Sequence, residues 1–138
     1  MNITTSGKSV AAREDEGTVV HVEDETGEKL YQDAEQTKPV TITIAGTYSS
    51  RYRRITDTNG DKAWKKRGGM DAADSRRTAL ETIAACILAW DGFTSDGEEF
   101  PLTKANAVTL LDACPWIRDK VEKAMTSHEL FTAPVSLS

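Results

Sequence analysis

Thr78-Ala79-Leu80-Glu81-Thr82-Ile83-Ala84-Ala85-Cys86-Ile87-Leu88-Ala89-Trp90-Asp91-Gly92 is the most strongly patterned stretch of the chain. Leu80, Ile83, Ala84, Ile87 and Leu88 recur at the three- and four-residue spacing that stacks side chains on one face of an α-helix. A stripe of that width faces a core. Asp71 or Asp74 can cap the helix, because a short side-chain oxygen accepts from an N–H that the first turn leaves unpaired. Trp90-Asp91-Gly92 ends it, and Thr94-Ser95-Asp96-Gly97 reverses the chain. The spacing predicts one helix reaching Leu88, with Trp90 and Phe100 covering the end of a helical core.

Working outward, Pro101 and Thr103 start a short helix with Ala107, Val108, Leu111 and Cys114 on one side. Pro115 suits the first turn of a separate helix, whose stripe is Ile117, Val121, Ala124 and Met125. Residues 132–138 read as a flexible polar tail. On the other side, Ser49 or Thr47 can cap a basic helix carrying Tyr48, Tyr52, Ile55, Ala63 and Trp64. Asn59-Gly60 in its middle costs about 1 kcal/mol there, which leaves a break or bend open, and Gly68-Gly69 stops it.

Two runs upstream alternate instead. Thr18, Val20 and Val22 share one face of a strand, as do Val40, Ile42 and Ile44 after Pro39. Together they predict a two-stranded ribbon, which is marginal alone and must lie on something or pair with another chain. Residues 1–16, rich in Ser, Thr and charge, read as a disordered leader. The expected fold is α+β and mainly α. A short N-terminal ribbon (17–45) precedes a four-helix region (47–131), and 17–131 forms a single domain.

The chain has 138 residues and a net charge of −5, distributed unevenly. Residues 1–50 carry −5, residues 51–77 carry +5 and residues 78–138 carry −5. With no apolar run of membrane-spanning length and no signal peptide at its start, the chain is expected to be soluble and intracellular. Cys86 and Cys114 are then expected as free thiols. Catalytic groups are not evident. His21 and His128 lie far apart in ordinary contexts, and no Cys-x-x-Cys, phosphate loop, nucleophile elbow or zinc motif occurs. Asp57-Thr58-Asn59-Gly60-Asp61 begins like a calcium loop, but Lys62 stands where glycine is required and Gly68 where glutamate is required. No enzyme activity, metal or cofactor is expected.

The basic segment is the stronger feature. Arg51, Arg53 and Arg54 precede Lys65, Lys66, Arg67, Arg76 and Arg77, with Tyr48, Tyr52 and Trp64 interleaved. Such a face can bind phosphates, stay solvated while its aromatics pack inward, or meet an acidic or amphipathic protein. The pI near 5.1 counts against autonomous nucleic-acid binding.

Three parts taken in order resemble a known family. Ile42-Thr43-Ile44-Ala45-Gly46 leads to Ser49 and Tyr52-Arg53 at the start of a basic helix. An apolar helix closes on Trp90-Asp91-Gly92. An acidic turn then leads to Phe100-Pro101-Leu102-Thr103, Asn106-Ala107, Leu110-Leu111 and Pro115-Trp116-Ile117 with Val121. Across residues 38–126 this order resembles the tail assembly chaperones of long-tailed bacteriophages. The resemblance implies a non-catalytic role in the host cytoplasm. The partners it implies are the tape-measure protein, the tail-tube protein and further copies of the chain, with no membrane. Arg51, Tyr52, Arg53 and Arg54 are the expected electrostatic face, and Trp90, Phe93, Phe100 and Trp116 the contact or corner-forming aromatics. A structural virion subunit is the alternative, and a nucleic-acid-binding regulator using residues 51–77 a third.

Overall fold

The computed structural model describes residues 1–65 and 71–132, with side chains for 1–60 and 71–132. The fold is α+β. Among the described residues the order is α1 (Ile3–Glu16), β1 (Thr18–His21), β2 (Thr41–Ile44), α2 (Ser50–Lys65), α3 (Ala72–Cys86), β3 (Ile87–Asp91), β4 (Thr94–Ser95), β5 (Glu98–Glu99), α4 (Lys104–Ala113) and α5 (Pro115–Thr126). A 3-10 turn, His128–Phe131, follows.

The alternating runs form β1 and β2, paired antiparallel with Val20 opposite Ile42. Val20, Val22, Val40, Ile42 and Ile44 are buried on one face, while Val19 on the other is 48% exposed. That face lies on helices, α5 among them, which supplies what an isolated ribbon lacks.

The ribbon is not two-stranded, however. The patterned stretch leaves its helix at Cys86, and Ile87–Asp91 continues as β3, antiparallel to β2 with Ile42 opposite Trp90. The sheet order β1-β2-β3 makes β2 central. Without β3 the second edge of β2 would hold unpaired peptide groups inside the fold, so the chain trades two more helical residues for a strand. Ala45 N–H, donating to Cys86 O at 2.8 Å, marks the switch. Ile44 faces Ile87 and Thr43 faces Ala89, so Leu88 is the extra residue of a β-bulge.

The expected disordered leader is also corrected. Residues 3–16 are α1, started by Asn2, whose Oδ1 accepts from Thr5 N–H at 3.2 Å. It has no apolar stripe to read, because its one fully buried side chain is Glu14.

The remaining helices begin where their caps place them. Ser49 Oγ accepts from Tyr52 N–H (3.1 Å), Asp71 Oδ1 from Asp74 N–H (2.8 Å) and Thr103 Oγ1 from Asn106 N–H (3.1 Å). Pro115 opens α5 directly after α4. Asn59-Gly60 does not break α2: Asn59 Nδ2 donates to Thr82 Oγ1 of α3 at 2.7 Å, which ties the two helices together. Gly68-Gly69, Lys66, Arg67, the side chains of Ala63, Trp64 and Lys65, and the tail from 133 lie outside the described residues. No helix of the described residues is long and apolar enough to cross a membrane.

Candidate protein-binding interface

Three of the four aromatic residues singled out from sequence meet in one corner. β3 carries Trp90 to its end, and Gly92 turns the chain with φ +100°, a conformation that disfavours any side chain. A Cβ there would also lie 2.8 Å from Gln32 Cγ. The β4–β5 hairpin then returns Phe100 beside Phe93, whose carbonyl accepts from Phe100 N–H at 3.0 Å. The ring centroid of Trp90 is 5.1 Å from that of Phe93 and 5.7 Å from that of Phe100. Trp90 Nε1–H donates to Phe100 O at 3.0 Å, so the indole is half-buried with its polar atom satisfied. Tyr31, Gln32, Leu88 and Leu102 extend this corner into an open groove. Exposed Asp91 and Glu99 border it with negative charge.

Trp116 does not join the corner. It sits in the first turn of α5, 37% exposed, away from the groove that the other three rings line.

Helical geometry splits the basic run as well. Arg51 and Arg54, three residues apart, share a face of α2 with Ile55 and line a groove with Ala85 and Lys104. Arg51 Nη1 donates to Ala85 O at 3.2 Å, near the C-terminus of α3. Tyr52 points elsewhere: it is half-buried against the core and borders a different groove, with Thr82 of α3 and Met125 of α5. Arg53 is exposed and lines neither. The four residues therefore do not make one patch.

A cluster not legible in the sequence joins α1 to the rest. The buried carboxylate of Glu14 accepts from Tyr48 N–H (3.0 Å) and from His128 Nδ1 (2.9 Å). The His128 ring stacks on Tyr48 with centroids 3.6 Å apart. Gly46 lets the carboxylate approach the backbone, since a Cβ there would sit 1.9 Å from Glu14 Oε1. The partners are 34 and 114 residues from Glu14, so no local pattern could announce them. His128, whose sequence context is ordinary, is part of this clasp.

Cys86 and Cys114 are free. Burial pushes the Cys86 thiol up to about 11, against a smaller downward pull from Arg51, and burial together with nearby Glu25 raises Cys114. Asp57 to Gly60, the start of the calcium-like run, are helical, and Asn59 is committed to Thr82. Among the described residues no group of three or more His, Cys, Asp or Glu could hold a metal ion.

No protein-family model matches the chain, and neither a curated protein nor a solved structure does so.

Proposed function

We propose that the chain is a non-catalytic tail assembly chaperone of a long-tailed bacteriophage, binding the helical tape-measure protein reversibly in the host cytoplasm and assisting tail-tube assembly. One observation carries the reading. The Trp90-Asp91-Gly92 and Phe100-Pro101-Leu102 segments of the ordered resemblance meet across the β4–β5 hairpin in one half-buried corner of Trp90, Phe93, Phe100 and Leu102 just before α4, with Trp90 carried by β3 and not by the helix end. Half-buried aromatic rings whose polar atom is satisfied, bordered by polar and acidic side chains, are suited to reversible protein contact. β3 is also an edge strand, which can accept a strand from a tube subunit or a second copy.

The test is co-expression with the tape-measure protein of the same genome, followed by purification through a tag on this chain. The tape-measure protein is expected in the soluble fraction and in the purified complex. If it stays insoluble and unbound, the proposal fails. Mass spectrometry of purified particles gives the second check: a chaperone is absent from them, whereas a fixed copy number identifies a structural subunit instead.

A further inference from the structure

α3 and α4 pack side by side and leave a groove along their seam. Its floor is apolar. Leu80 is buried and Val108 half-buried, while the small residues Ala73 and Ala105 keep it shallow enough for another helix to approach. Glu81 and Lys104 line both this groove and the neighbouring one that holds Arg51 and Arg54, so the two adjoin across α2, α3 and α4.

Charge is arranged unevenly along this path. Toward the α3 N-terminal end Arg76 is paired with Asp112, and the adjacent Arg77 Nε lies 3.1 Å from Oε1 of Glu81, one turn on. Those cations are already neutralised. At the other end Arg54 and Lys104 have no carboxylate within ion-pair distance among the described residues, and the Arg51 guanidinium donates to the Ala85 carbonyl while its backbone N–H donates to Asp15 Oδ1. The two adjoining grooves thus hold five cations against two carboxylates, in a chain whose net charge is −5.

We infer that the α2–α3–α4 groove docks an amphipathic helix of a protein partner, its apolar stripe on Leu80 and Val108 and its acidic flank on Arg54 and Lys104. A helix fits better than a nucleic acid because the floor offers apolar contact where a phosphate backbone needs none. The partner's acidic flank follows from charge complementarity with the unpaired end. The inference rests on the chaperone reading only for which protein supplies the helix.

The probe is a synthetic helical peptide of about 20 residues, with leucines at three- and four-residue spacing and glutamates on both flanks. Its lysine-flanked counterpart and a DNA duplex of similar length are the comparisons, each titrated by fluorescence anisotropy against the full chain. The glutamate peptide is expected to bind, to weaken with added salt, and to lose about tenfold or more in affinity with Arg54→Glu combined with Lys104→Glu. Both side chains are exposed, so circular dichroism should be unchanged. Ala105→Glu blocks the floor without harming the fold, because an acidic residue in the first turn suits the helix dipole. It is expected to weaken binding to a similar extent.

Equal binding of both peptides, binding untouched by these substitutions, or binding of the duplex in place of the peptide would each overturn the groove assignment. The tape-measure co-purification separates the two proposals. Retention of that protein by the Arg54→Glu, Lys104→Glu variant sinks the groove and leaves the chaperone reading standing. Groove-dependent peptide binding without tape-measure capture does the reverse.

Discussion

Glu14 is only 1% exposed, yet it lies in a helix of fourteen residues of which nine are polar or charged. A carboxylate so placed is tolerable because both oxygens are used, one by Tyr48 N–H and one by His128. Removing it leaves those donors without an acceptor and opens space beside Gly46. Glu14→Ala is therefore expected to lower the unfolding free energy by roughly 1–3 kcal/mol in urea titrations. A change within a few tenths of a kcal/mol, the size expected for a solvated surface site, would show that α1 is not held there. Nothing near Glu14 in sequence points to this, since burial of a polar side chain is decided by whichever distant donors reach it.

At the scale of elements, caps and alternation were readable and run lengths were not. Asp71, Thr103 and Pro115 start their helices because the first-turn N–H groups need local oxygens, or in proline's case no partner at all. Asn59-Gly60 read as a weak point in α2, but the helix is held there by the Asn59–Thr82 bond to α3. Gly60 sits in that helix with nothing within 4 Å of where a Cβ would stand. Gly60→Ala should then stabilise the protein by about 0.5–1 kcal/mol, read as a raised urea midpoint, through the backbone entropy glycine loses on folding. A lowered midpoint would mean that the helix does not run through this position. The aromatic corner was half legible: Trp90, Phe93 and Phe100 stood out, but their meeting depends on β3 being a strand and on the β4–β5 hairpin returning Phe100.

For the molecule as a whole, Cys86 marks the point where helix, sheet and core converge, and its thiol has no exposed surface. Its pKa is raised from the ordinary 9.0 to about 11, chiefly by burial. Below pH 9 both folded and unfolded chains keep the proton, and the stabilisation is fully present. Between pH 9 and about 11 the unfolded chain ionises while the folded one does not, so stability falls as pH rises through that window. Urea midpoints measured across it should fall more steeply for the wild type than for Cys86→Ala, which lacks the ionising group. Parallel slopes would remove the thiol from the account.

The chain's local periodicities by themselves determined which faces are apolar: Val20, Val22, Val40, Ile42 and Ile44 on the sheet, and Leu80, Ile83, Ile117 and Val121 on the helices. These patterns repeat within a few residues, so they need no knowledge of the fold. Whether Ile87 and Leu88 continue a helix or join a sheet does need it. Both arrangements bury an apolar run, and the unpaired edge of β2 tips the choice. The tertiary structure alone likewise decided that the leader is a helix, that Trp116 stands apart from the aromatic corner, and that Arg51 and Arg54 face Lys104. Each depends on contacts between residues distant in the chain, where hydrogen-bond and packing demands outweigh local preference.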